Sequence, residues 1–128
     1  TWERLRAALE PLGLKTPYWG PLSGLRSTVG GAASQNSVFF GSGVHGTAAD
    51  TVIGLSVVLA DGRVVTTGSG GGTEVSAFFR HYGPDLTGLF TGDVGAFGIK
   101  VAVTLKLVQR KAGLGFASYG FSERAALQ

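Results

Sequence analysis

The sequence predicts an α+β fold: a mainly antiparallel sheet flanked by helices. Three observations carry this. A helical period opens the chain, an Asp-Gly turn joins two β-branched runs in its middle, and a strand of period two follows towards its end. The strict strand–helix–strand alternation of a doubly wound sheet is absent.

Each element has a local reason. In "TWERLRAALEPLGL" the residues Trp2, Leu5, Leu9 and Leu12 fall on one face of a 3.6-residue period, and Pro11 with Gly13 ends the helix. "KTPYWGPLSG" holds two Pro and two Gly and reads as a loop. From residue 30 to 46 there is no helical period and little alternation. In "DTVIGLSVVLADGRVVTTGSGGG" two β-branched runs flank Ala60, Asp61 and Gly62, which predicts a hairpin. Its first run is almost wholly apolar, as in a strand covered on both faces or lying close to a ligand. "GSGGGT" reads as a flexible segment. "EVSAFFRHYGPDLTGLF" reads as one or two short helices, with Pro84 at a helix start and Leu86, Leu89 and Phe90 at helical spacing. In "IKVAVTLKLVQR" Val101, Val103, Leu105 and Leu107 alternate with polar or small residues, which predicts a half-buried strand. "GLGFASYGF" reads as a further strand. Ser122 is placed to cap a last helix, with Glu123 in its first turn.

Composition limits what the chain can do. Its 128 residues make one domain at most, with 44% hydrophobic and 15% charged residues, as in a globular protein. Glycine is the outlier: 22 residues, more than twice the usual share of about 7%. There is no Gly-X-Y period, no apolar run of the ~18 residues that a membrane span needs, and no signal-peptide pattern. The net charge of +3 suits an anionic ligand, but the eleven basic residues are dispersed and only Arg110 and Lys111 are adjacent. A nucleic-acid footprint clusters such residues, so no nucleic-acid partner is expected. With no Cys, disulfides, thiolate zinc sites and thiol nucleophiles are excluded. A reducing cytoplasm is compatible, and the compartment stays open. The sequence starts at Thr1, has no Met, and reads as a piece of a longer protein.

The glycines gather in segments with two readings each. In "GGAASQN" the Gly30-Gly31 pair opens backbone N–H groups that can form a nest for an anion, with Ser34 and Asn36 beside it if the segment is extended. It also reads as a tight turn followed by a polar loop. "GSGVHG" has the letters of a dinucleotide fingerprint but precedes a strand, so its context fails. His45 within it could act as a general base, though no paired carboxylate is near it in sequence. "GDVGAFGIK" places Gly95 and Gly98 before a strand, where another backbone or a flat ring can come close, or where an edge bulge sits. His81 and Asp85 could pair, or Asp85 could cap the following helix. Two His and no ligand cluster point to no metal site.

Taken in order, "LSGLRSTVGGAASQN", "VHGTAADTVIGLSVVLADGRVVTTG", "YGPDLTGLFTGDVGAFGI" and "VTLKLV" resemble the FAD-binding domain of FAD-linked oxidases. This is the vanillyl-alcohol-oxidase (PCMH) type, in the branch of D-lactate dehydrogenases and glycolate oxidase subunits. The resemblance covers residues of about 20 to 110. It implies a two-subdomain site with FAD between the halves. This chain resembles the second half alone over residues 1–121, with 122–128 opening a cap domain. It implies FAD contacts along 22–31, at Thr28, Gly30 and Gly31, and through the polar stretch Ser34, Asn36 and Ser37. The family's "EGTLGI" corresponds to "VGAFGI", which implies contacts at Gly95, Phe97, Gly98 and Ile99. Val94 stands where the family often has Glu, and Phe97 where it often has Leu. His45 stands where Tyr is frequent and receives no catalytic role; the catalytic residues stay unknown.

The implied activity is oxidation of a 2-hydroxy acid or similar alcohol by hydride transfer to FAD. The implied partners are FAD, the first FAD subdomain, the cap domain and that small substrate. Two other readings stand beside it: an alkylglycerone-phosphate synthase-like flavoenzyme, and a non-catalytic interaction module whose Gly-rich segments are only turns.

Overall fold

A computed structural model describes residues 1–17, 19–21, 24–70, 77–81, 83–113, 115 and 117–127. Helix α1 (Trp2–Leu9) starts at Thr1, whose hydroxyl accepts the Arg4 amide. A 3-10 turn (Glu10–Leu12) extends it, and Gly13 ends it in the left-handed region, as Pro11 and Gly13 foretell. Trp2 and Leu9 are buried and Leu5 is half-buried, so the expected face packs inward; Leu12 at its end is exposed.

The central sheet has the order β5-β4-β6, all antiparallel. Strand β4 (Val52–Val58) is its middle strand and turns back into β5 (Val64–Thr66) through the expected Asp-Gly hairpin. The Gly62 amide closes that turn on the Leu59 carbonyl, and Gly62 takes a positive φ of 84°. Strand β6 (Ile99–Leu105) lies on the other side of β4. Two two-stranded sheets complete the set. Strand β1 (Leu14–Lys15) pairs with β7 (Val108–Gln109), and β2 (Trp19–Pro21) pairs with β3 (Phe39–Phe40). The stretch read as a loop over 15–24 thus contributes strand pairing; Tyr18, Leu22 and Ser23 lie outside the described residues.

The segment without visible period is helical. Helix α2 (Val29–Gln35) is capped by Thr28, whose hydroxyl accepts the Gly31 amide at 3.0 Å. It ends at Asn36 in the left-handed region, φ 47°. Two single-turn helices follow, α3 (Ser42–His45) and α4 (Ala48–Thr51). In the second, Asp50 accepts the Thr47 amide at 2.7 Å, closing a capping box. In the segment expected to hold one or two short helices, the described residues form one, α5 (Leu86–Leu89), capped by Asp85 through the Gly88 amide at 2.9 Å. Residues 71–76 and Tyr82, within the expected flexible segment and helices, lie outside the described residues.

The strand expected over 113–121 is absent among the described residues there, and Leu114 and Phe116 lie outside them. Tyr119 and Phe121 are exposed, and the nearest strand, β7, pairs with β1 instead. The last helix forms as a 3-10 turn (Arg124–Leu127).

Helix α2 wedges between two apolar clusters. Ala32 joins Trp2, Phe39 and Ala48, with the Trp2 and Phe39 rings edge-on at 5.3 Å. Ala33 joins Val52, Leu55, Val57 and Phe90 on the sheet. Small residues let the helix sit close: a Cβ on Gly30 would stand 3.0 Å from the Lys100 carbonyl oxygen of β6. No helix among the described residues is long and apolar enough to cross a membrane.

Candidate functional site

Among the described residues strand β6 is an edge strand, and its apolar residues are divided. Val103 and Leu105 pack on the core, whereas Ile99 and Val101 are 70% and 60% exposed. The half-buried face that the alternation predicts is therefore only half covered by protein. The uncovered part lines an open groove of about 1060 Å³. Its other walls are Thr1, Arg4 and Leu5 at the start of α1, Thr28 to Gly31 and Ser34 on α2, and Gly95 and Gly98 before β6. Its size is at the upper end of small-molecule sites, roughly 300–1,000 Å³.

This groove brings together Thr28, Gly30, Gly31, Ser34, Gly95, Gly98 and Ile99, all singled out from the sequence. It does not include Asn36, Ser37 or Phe97. The Asn36 side-chain carbonyl accepts the Ala49 amide at 2.8 Å, tying α2 to α4. The Ser37 backbone carbonyl accepts the Ala48 amide at 3.0 Å. Phe97 is 53% exposed, and its amide donates to Asp93. Ser34 and Asn36 do not share a side of an extended strand, because the segment is a helix and its cap.

Backbone donors are distributed unevenly around the groove. The first-turn amides of Val29 and Gly30 have no acceptor within α2, as at any helix start. In the facing turn the amides of Gly95 and Phe97 donate to the Asp93 carboxylate and that of Gly98 to the Gly95 carbonyl. The turn itself hangs from α2: Gly92 donates to the Ala33 carbonyl at 3.0 Å and Val94 to the Ser34 carbonyl at 2.8 Å. Of the two residues that hold it, Asp93 carries no periodic signal and Lys100 reads only as a polar position of the alternating strand, so neither stands out in the sequence as a site residue. Nor do Thr1, Arg4 and Leu5, because the approach of α1 to β6 joins distant segments.

The two histidines stand apart from this groove. His45 is exposed at the end of α3 and lines a second groove of about 570 Å³ with Asp50, Phe78 and Lys106. Of the two options for Asp85, the cap is realised, and its ion-pair partner is Arg80 at 2.7 Å. Arg80 also donates to the Ala49 carbonyl. No group of three or more His, Asp or Glu able to hold a metal stands among the described residues.

Residues 1–68 match the sequence model described as "FAD binding domain". The chain belongs to the FAD binding domain family. It is 38% identical over 103 residues to the glycolate oxidase subunit GlcD of Bacillus subtilis (strain 168), across 80% of this chain and 20% of the relative. The chain thus spans about a fifth of the length of that relative.

FAD is the cofactor of this family, and the groove suits it on its own geometry. A Cβ on Gly95 would meet nothing within 4 Å, so the wall there is bare backbone beside open space. The exposed Ile99 and Val101 offer an apolar surface of the kind that a planar ring covers.

Proposed function

We propose that this chain forms one wall of the FAD site in a flavin-dependent oxidoreductase that oxidises a 2-hydroxy acid or a similar alcohol. The supporting observation is the convergence of Gly30 and Gly31 with Gly95 and Gly98, from two separate segments, on one groove along an uncovered apolar strand edge. Family membership and the likeness to a glycolate oxidase subunit support the reaction class.

In this reading the wall consists of Thr28, Gly30, Gly31, Ser34, Gly95, Gly98 and Ile99. Asn36 and Ser37 stand behind it and hold α2 on α4; Phe97 stands beside it. When bound, FAD supplies the hydride acceptor. The chain's own part is to present a face that is bare backbone at Gly95 and apolar at Ile99 and Val101, and to keep water off it through those two side chains. A first FAD subdomain and a cap domain would complete the site, with residues 122–128 leading into the cap.

The test is the visible absorption spectrum of the protein expressed from its complete reading frame. The reading expects bound flavin that bleaches anaerobically when a 2-hydroxy acid such as glycolate is added. A protein that neither carries flavin nor takes up added FAD would overturn it. Flavin that no 2-hydroxy acid or related alcohol reduces would leave the FAD site standing and remove the substrate class.

A further inference from the structure

Among the ion pairs of the described residues only Asp93–Lys100 is buried, each side chain being 1% exposed; the others are 16% exposed or more. The pair sits inside the turn that forms one groove wall. Asp93 Oδ1 accepts the Lys100 ammonium and the Gly95 amide, the latter at 3.0 Å, and Oδ2 accepts the Phe97 amide at 3.1 Å. Lys100 Nζ also donates to the Gly98 carbonyl at 3.3 Å.

The backbone path through this turn is unfavourable. Val94 is β-branched and takes φ 54°, in the left-handed region that such residues avoid. Val94 is 78% exposed, so no burial offsets the strain. Strain of this kind persists only where the surroundings over-determine it. Here they are the Asp93 carboxylate on one side and the α2 carbonyls of Ala33 and Ser34 on the other.

A buried ion pair is a poor source of stability, since an apolar pair of similar volume often does as well or better. An apolar pair cannot, however, accept two amide protons. That difference separates a stabilising role from a geometric one. We propose that Asp93, neutralised by Lys100, is a positioning residue for the flavin: it draws the Gly95 and Phe97 amides inward and thereby fixes Gly95 and Gly98 in the wall against which the ring lies. The inference rests on the FAD reading above.

The test uses the protein from its complete reading frame, as Asp93→Asn and as the double variant Asp93→Leu/Lys100→Met. The double variant leaves no unpaired charge in the interior, so it carries the test if the single one does not fold. Three quantities are read: melting temperature without FAD, FAD affinity by flavin fluorescence, and the visible circular dichroism of the bound flavin. The expected result is a double variant that melts close to the parental protein, binds FAD at least about tenfold more weakly, and gives an altered dichroic spectrum. Amide exchange at Gly95 and Phe97 is expected to accelerate in both variants. Parental affinity and an unchanged spectrum in the double variant would overturn the proposal and reduce the pair to a structural one. A parental protein that takes up no FAD would sink the FAD reading, and this inference with it, before any variant is compared.

Discussion

The hydroxyls of Thr67 and Thr87 meet at 2.8 Å in full burial, joining the end of the hairpin to α5. Thr67 Oγ1 also accepts the Leu55 amide at 3.0 Å, in the middle of β4. The two threonines are therefore not equivalent. Thr67→Val strands a buried backbone donor, at a cost of about 1–3 kcal/mol. Thr87→Val leaves the Leu55 amide its acceptor, removes the hydroxyl contact and costs about 1 kcal/mol. Urea denaturation ranks the two variants; equal midpoints would refute the asymmetry.

Gly95 and Gly98 both carry positive φ, 81° and 144°, yet their surroundings differ. A Cβ on Gly98 would stand 2.6 Å from the Val58 carbonyl oxygen, so Gly98→Ala must push β6 off β4. A Cβ on Gly95 meets open space, so Gly95→Ala carries backbone strain alone, about 1–2 kcal/mol. Thermal melts of the two variants are expected to show the larger loss at Gly98, with Gly95→Ala still folded.

Val94→Gly is expected to stabilise the fold. Relief of left-handed strain contributes about 1–2 kcal/mol, and the added freedom of the unfolded chain takes back about 0.5–1 kcal/mol. The exposed side chain has little packing to lose. A raised melting temperature checks this; a lowered one would mean that Val94 makes contacts worth more than its strain.

Among the described residues five carboxylates are held below their usual values; Glu10 and Asp61 are fully exposed, and acid sensitivity follows from the other three. The Thr47 amide and hydroxyl hold Asp50 below its usual pKa of 3.8, and the Arg80 guanidinium does the same for Asp85. At Asp93 burial pushes the value up, but Lys100 and the Gly95 and Phe97 amides outweigh it. All three folded values lie below the unfolded one. Their contribution is thus complete above the unfolded value and disappears as pH falls through the folded values. The melting temperature is expected to stay level down to about pH 5 and to drop below about pH 4. Asp93→Asn should reduce the size of that drop, and a drop of unchanged size would remove Asp93 from the account.

Local patterns made α1, the hairpin and β6 readable. Trp2, Leu5 and Leu9 share a helical face, Asp61-Gly62 supplies a positive φ where a hairpin needs one, and Val101, Val103 and Leu105 alternate. Helix α2 was not readable by period because its buried face is Ala32 and Ala33, too small to stand out among glycines; its one local mark is the Thr28 cap. Pairings such as Leu14 with Gln109 depend on distant residues and leave no local trace. The same division holds at the groove. Its glycines were visible as composition. The Asp93–Lys100 pair was not, because a single Asp and a single Lys flanking a turn look like solvated surface until burial is known.

The hydrogen bonds from Gly92 to Ala33 and from Val94 to Ser34 couple α2 to the turn before β6. The two sides of the cleft are consequently tied main chain to main chain, a link that no exchange of side chains short of proline removes.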